Sequence, residues 1–290
     1  MPESSVAYVL TAIKHEVGLL RAEEPGVRRG RSAEAVHRMR AAVRRLRSIL
    51  RASRPLFRAA WVDRLREELD WLGASLGGVR DLDVLGAHFR SRLGPMPAAE
   101  RAAARHLLRR LRDDRVRARG VLLTALRSAR YARLRHRLTT ALDHPPTRRD
   151  SISLVGITAD TFGKLRKAVR KLPDEPDDEA LHRVRIKVKR ARYAAELVRP
   201  TAGRRGKRFI RAAKEVQDIL GEHQDAVVAE AYVSRAADQS PAIRPVRERL
   251  VELQRDRRER AREAFEETWP RLARRGRKAW REAPGADSDG

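Results

Sequence analysis

The chain contains no cysteine, which excludes disulfides and thiolate metal sites and fits a reducing compartment. Aromatic residues make up only 4 %, too few for the stacking platforms with which proteins grip the bases of single strands. No apolar run approaches the roughly 20 residues of a membrane-spanning helix. The start, Met1 to Val17, carries Glu3, Lys14 and Glu16 where a signal peptide would hold an unbroken apolar stretch. A soluble, cytoplasmic protein is therefore expected. Alternating strand patterns of useful length are missing, as are phosphate-cradling glycine loops, zinc spacings and any pairing of nucleophile with base. These absences exclude the common catalytic classes, and no catalytic residue, metal site or cofactor is expected.

What the chain has in excess is positive charge. Its 290 residues hold 66 Lys and Arg against 39 Asp and Glu, a formal net charge of +27. A compact body so charged repels itself and attracts polyanions. Arginine, the dominant cation, suits bidentate phosphate contacts, although an arginine-rich genome can raise its share. The hydrophobic 41 % is mostly Ala, Leu and Val in regular spacing, enough for a core built from amphipathic helices.

Helix-breaking residues fall at Pro25 to Gly30, Pro55, Gly77 and Gly78, Gly94 to Pro97, His144 to Ser151, Pro173 to Pro176, Pro200 to Gly206, Ser240 and Pro241, and after Ala283. They predict about ten helices, with two longer ones near residues 97–130 and 241–275. Pro284 to Gly290 reads as a loose, disordered tail.

An internal repeat organises the rest. Val36-His37-Arg38-Met39-Arg40 matches Leu181-His182-Arg183-Val184-Arg185 at a shift of 145, and the match continues through Val43/Val188, Arg44/Lys189, Arg45/Arg190, Arg47/Arg192, Arg54/Arg199 and Pro55/Pro200. A second block, Leu76-Gly77 with Asp81, returns as Leu220-Gly221 with Asp225 at a shift of 144. The chain reads as a duplication. Its halves, 1–143 and 152–283, are expected to be small antiparallel helical bundles joined by a polar linker at 144–151.

On the helix beginning near Ser32, Val36, Met39, Val43, Leu46 and Leu50 step by threes and fours and form the core stripe. His37, Arg40, Arg44, Arg47 and Arg51 follow the same rhythm one position later, on a face turned by about 100°. Arg38 and Arg45 flank them. The second half copies this with Leu181, Val184, Val188 and Ala191 inside and His182, Arg185, Lys189 and Arg192 alongside, flanked by Arg183, Lys187 and Arg190. Like charges one turn apart cost a few tenths of a kcal/mol per pair, and an ordinary solvated face would mix signs. Cations about 5 to 6 Å apart match the spacing of a linear phosphate chain. The ladders carry no Asn or Gln for base reading, so nucleic acid is a second, non-specific possibility.

Each half also carries Glu-x-x-His: Glu34 with His37 and Glu179 with His182. Di-iron bundles use that spacing, but Arg40 and Arg185 lie one turn beyond each histidine, where they would oppose a divalent cation. A glutamate in the first turn of a helix answers its macrodipole and would keep the histidine partly protonated. Asp81 and Asp225 follow glycines at an expected helix start, as a cap or an arginine partner.

His37-x-x-Arg40-x-x-x-Arg44-Arg45-x-Arg47, Leu76-Gly77-x-x-Arg80-Asp81-x-Asp83-Val84, His182-x-x-Arg185-x-x-x-Lys189-Arg190-x-Arg192-Tyr193 and Leu220-Gly221-x-x-Gln224-Asp225, in this order, resemble the CHAD family of histidine-containing α-helical domains. The resemblance runs over nearly all of residues 5–275. It implies an all-α fold of two pseudo-symmetric antiparallel four-helix bundles forming one domain over 1–283, with a shared basic groove or pore. It implies inorganic polyphosphate as ligand, association with polyphosphate granules and a non-enzymatic role. Gln224 in place of Arg80, and Glu196 in place of Arg51, make the second ladder shorter.

Overall fold

A computed structural model describes residues 5–30, 32–92, 96–143, 145–148, 153–199 and 202–280. Along the chain run α1 (Ser5–Arg29), α2 (Ala33–Ala52), a 3-10 turn (Arg54–Leu56), α3 (Ala59–Arg92), α4 (Ala98–Arg127), α5 (Ala129–Asp143), α6 (Leu154–Arg170), α7 (Asp178–Leu197), α8 (Gly203–Gln239), a second 3-10 turn (Pro241–Ile243) and α9 (Arg244–Ala279). No strand occurs among the described residues; one isolated bridge pairs Phe57 with Thr147. The fold is all-α, as the spacing of apolar residues predicts. The expected tail at 284–290, and residues 144 and 149–151 of the expected linker, lie outside the described residues.

Three expected boundaries differ. α1 runs through Pro25 to Arg29, because Glu24 and Val27 are buried on either side of the proline and packing holds the last turn. Gly77 and Gly78 lie inside α3, where the stripe Leu69, Leu72, Leu76 and Val79 stays buried without interruption; this outweighs the roughly 1 kcal/mol that each glycine costs a helix. The long helix expected over 97–130 instead ends at Arg127. Ser128 there takes extended backbone angles, and its Oγ accepts from the backbone N–H of Tyr131 at 3.2 Å, capping α5.

The described chain divides into two compact units. One comprises Met1–Arg149 with Ala231–Glu252, the other Asp150–Glu230 with Leu253–Gly290. In the first, α2 packs between α1 and α3, and α5 lies against α1, α3 and α4. α1 packs on α2, and Val9, Ile13, Val17 and Leu20 of α1 and Met39, Leu46 and Leu50 of α2 are buried in its core. In the second, α6 packs on α7, and Phe209 stands edge-on to both Phe162 and Trp280, with ring centres 5.3 and 5.5 Å away. Such pairs add about 0.5–1.5 kcal/mol each to the burial itself. α9 approaches this cluster so closely at Gly276 that a Cβ there would collide with the Phe162 ring.

Candidate basic binding faces

Both repeated helices begin as their sequences dictate. Ser32 caps α2, its side chain accepting from the backbone N–H groups of Glu34 and Ala35, and Asp177 caps α7 by accepting from Ala180 at 2.6 Å. Glu34 and Glu179 occupy first turns. The stripe Val36, Met39, Val43, Leu46 and Leu50 is buried, as is Leu181, Val184, Val188 and Ala191. With these rows inside, the cations one position later are turned toward α3 in the first unit.

On α2 the cations divide by neighbour. Arg38 and Arg45 turn to α1, where Nε of Arg38 donates to Glu23 at 2.6 Å and Nη1 of Arg45 to Glu16 at 3.4 Å. Arg40 and Arg47 turn to α3 and pair with Asp81, at 3.0 Å, and with Asp70. A Cβ at Gly77 would stand 3.7 Å from the Arg40 guanidinium, and one at Gly73 would stand 3.6 Å from that of Arg47. The two arginines thus lie along a smooth strip of α3. This gives the duplicated glycine and aspartate their meaning: Gly77 lies beneath Arg40, and Asp81, one turn on, receives it. Asp81 sits inside α3, so the cap role is excluded and the arginine partner is the observed one. Arg44 and Arg51 are exposed. No carboxylate among the described residues lies within ion-pair distance of Arg44 or of Arg80, which faces His37 from α3.

The second unit repeats the arrangement, with glutamines at two of the facing positions. A Cβ at Gly221 would stand 4.0 Å from Nε of Arg185. Where α3 has Gly73, α8 has Gln217, whose Oε1 accepts from Nε of Arg192 at 3.0 Å. Where α3 has Arg80, α8 has Gln224, which hydrogen-bonds Nδ1 of His182. Arg192 also pairs with Glu196 at 2.6 Å and lies 4.4 Å over the ring of Tyr193. Tyr193 is buried, so the one aromatic residue among the basic positions offers no open face to a base. Arg183 pairs with Glu179 at 2.8 Å on its own helix. Lys187 and Lys189 are half-buried and Arg190 is exposed. Asp70 and Gln217, which contact Arg47 and Arg192, carry no signal within one helix, and the 144-residue shift sets Gln217 opposite Gly73.

A family model described as the CHAD domain matches residues 11–234. The chain belongs to the CHAD domain family. Among solved structures, the CHAD domain from the plant Ricinus communis shares 27 % identity with a TM-score of 0.71, over 91 % of this chain and 92 % of that one. PptA from Streptomyces chartreusis matches at a TM-score of 0.78 over 91 % and 98 %, with 22 % identity, a likeness of fold alone. Two Mycobacterium tuberculosis proteins, the uncharacterized Rv2226 of strain ATCC 25618 / H37Rv and MT2285 of strain CDC 1551 / Oshkosh, are each 32 % identical over 194 residues. These residues are 62 % of this chain and 35 % of theirs. The chain thus spans about a third of the length of the curated relatives it matches.

Within this CHAD domain the histidines are electrostatically distinct. Burial lowers the pKa of His37, and Arg80, Arg44 and Arg40 lower it further; only Glu34 acts the other way. The glutamate therefore does not lift the His37 pKa above its ordinary value, because burial and the surrounding arginines outweigh it. His223 is buried with Nε2 3.2 Å from Asp178. Burial lowers its pKa too, more than Asp178 raises it. Burial alone would raise the Asp178 carboxyl, yet hydrogen bonds from Arg262 and Arg258, with charge from Arg258 and His223, hold it below its ordinary value. No group of three or more metal-ligating side chains occurs among the described residues, and no helix there is long and apolar enough to cross a membrane.

Proposed function

We propose that the chain binds inorganic polyphosphate through the basic faces of α2 and α7, as a non-catalytic targeting or accessory protein. The observation that carries this reading is the duplicated arrangement of cation over glycine: Arg40 along Gly77 and Arg185 along Gly221, each beside a histidine. The family, known for polyphosphate binding, supports the same ligand. His37, Arg40, Arg44, Arg47 and Arg51 form the first ladder, with Arg38 and Arg45 beside it. His182, Arg185, Lys189 and Arg192 form the second, with Arg183, Lys187 and Arg190. The halves 1–143 and 152–283 act as two copies of one binding unit, and polyphosphate granules are where such a protein would gather.

The carboxylates found on Arg38, Arg40, Arg45, Arg47, Arg183 and Arg192 modify the mechanism. Most of these pairs are partly exposed, and exposed pairs contribute only about 0.2–1 kcal/mol each. A polyphosphate carries close to one charge and two non-bridging acceptor oxygens per phosphate, so each phosphate matches the carboxylate it replaces and the linked phosphates on either side add further charge. Arg44, Arg80 and His37 have no carboxylate to displace and are the entry point. Asp81 and Asp70 then hold Arg40 and Arg47 over α3 while the ligand is absent.

A second reading, non-specific DNA or RNA binding, is favoured by the net charge of +27 alone. Competition at fixed ionic strength among polyphosphate, single-stranded DNA, RNA and heparin separates the two. Preferential displacement by polyphosphate is expected, and equal displacement by all four would reduce the function to generic polyanion binding.

A further inference from the structure

The 145-residue shift also extends to the helices in front of the ladders. Ile13, Val17 and Leu20 of α1 correspond to Thr158, Phe162 and Leu165 of α6, and all six are buried. This fixes what changed between the copies. In the first half, Glu23 takes Arg38, and α1 approaches α2 so closely at Gly26 that a Cβ there would come within 2.9 Å of the Ala35 methyl. In the second half, Glu23 is replaced by Ala168 and Gly26 by Lys171. A lysine cannot occupy so tight a contact. Beside Ala180, the counterpart of Ala35, α6 and α7 enclose a cleft of about 420 Å³.

The walls of that cleft carry Lys164, Lys167, Lys171, Arg183 and Lys187, over a floor that includes Leu172 and Val184, and no acid is among the lining residues. The four lysines stand where the first half has Leu19, Ala22, Gly26 and Ala42, so none belongs to the duplicated pattern. Only nine of the chain's 66 basic residues are lysine, and four of them meet here, in a chain that otherwise uses arginine. Lysine at the end of a helix answers its macrodipole, which accounts for Lys167 and Lys171 on α6 but not for Lys187, in the second turn or beyond of α7. Two acids pair with lining cations at the rim, Asp160 with Lys164 at 2.7 Å and Glu179 with Arg183 at 2.8 Å, and the exposed Asp174 and Glu175 follow the lining residue Pro173.

We infer that this cleft is a second anion site, taking a compact group of at least two linked phosphates, either the end of an inorganic chain or the phosphate tail of a nucleotide. Four flexible ammonium groups converging from two helices can surround such a group from several sides, whereas a row of planar guanidinium forks suits an extended chain. Arg183 and Lys187 are shared with the second ladder, so the site extends that reading to another face of α7; the α6 lysines belong to the cleft alone.

Lysine acylation of the intact chain, followed by mass spectrometry at constant ionic strength, tests this site by site. Tripolyphosphate should slow modification of Lys164, Lys167 and Lys171 by about fivefold or more, while Lys214, paired with Asp218 at 3.0 Å, and Lys278 react unchanged. Equal protection by ATP would identify linked phosphates as the recognised group, and protection by tripolyphosphate alone would identify a free chain end; both support the site. No slowing, equal slowing at Lys214 and Lys278, or equal protection by orthophosphate would overturn it. Arg44→Glu, which damages the first ladder, should leave this protection intact, so failure of the cleft and failure of the ladder are read separately. Lys167→Ala with Lys171→Ala, both exposed, should lower tripolyphosphate affinity without changing the helical circular dichroism.

Discussion

The guanidinium of Arg40 and the carboxylate of Asp81 sit 3.0 Å apart, joining α2 to α3 in the middle of the proposed ladder. Asp81 is thus both the group that positions Arg40 and the group that a phosphate must displace. The side chains are about one third and one half exposed, which puts the pair in the weak, solvent-screened class.

Asp81→Asn should therefore tighten polyphosphate binding, by about two- to fivefold, since it removes a competing anion worth up to about 1 kcal/mol. The uncharged amide still accepts a hydrogen bond from Arg40. Isothermal titration calorimetry at fixed salt reads the change; weaker binding would show that positioning outweighs competition.

His37 supplies a pH signature. Its pKa in the free protein is depressed by burial and by Arg80, Arg44 and Arg40. A bound polyanion offsets those arginines and raises it, so binding takes up a proton. Affinity should increase as pH falls from about 7.5 toward 5.5, around and below the ordinary histidine value of about 6.5. Calorimetry in buffers of different ionisation enthalpy measures the uptake, and His37→Gln should reduce it. A pH-independent affinity would remove His37 from the site.

The Asp178 cluster predicts acid sensitivity of the fold. The depressed pKa of His223 contributes stability that is present above about 6.5 and lost as pH falls through the lower folded value. Asp178, also depressed, loses its contribution at still lower pH. Asp178→Asn leaves Arg258, Arg262 and His223 without their common anion. For this half-exposed carboxylate the cost should be about 1–3 kcal/mol, below the 3–5 of a fully buried pair. Thermal melts from pH 8 to 4 check both statements, and an unchanged melting temperature in the variant contradicts them.

Tyr131 donates its hydroxyl to Glu24 at 2.8 Å inside the first unit. Burial, and then this bond to a carboxylate, raise the phenol's pKa above its ordinary value. Tyr131→Phe leaves Glu24 with Arg28 and Arg135 and should cost about 1–3 kcal/mol, measured by urea unfolding, with polyphosphate affinity unchanged.

The helical class and the core stripes were legible because each depends on periodicity within one helix. Val36 to Leu50 and Leu181 to Ala191 are buried as their spacing requires. The meaning of Gly77 was not legible: a glycine pair reads as a break, and only the buried row Leu69 to Val79 on the folded helix shows why α3 continues. The ion pairs of Arg38, Arg45 and Arg47 were hidden for a related reason. Their partners, Glu23, Glu16 and Asp70, come from two different helices, and pairing between helices leaves no local pattern; Asp81 was legible as an arginine partner only through the repeat. The cap at Ser128 was overlooked because the helical rhythm resumes directly after it. The cleft lysines lie on two helices and outside the repeated pattern, so they form no run in the sequence.

The most direct test of the ladder is a charge-matched pair of double variants. Arg44→Glu with Lys189→Glu changes equivalent positions of the two repeats, and Arg64→Glu with Lys278→Glu changes the net charge equally at exposed positions elsewhere. Polyphosphate affinity, measured at one ionic strength with helicity verified by circular dichroism, should fall about tenfold or more in the first, from the loss of charge-assisted contacts, and about twofold or less in the second. Equal losses in both would contradict the account, because the positive charge of the whole molecule, and not these two helix faces, would then be what holds the ligand.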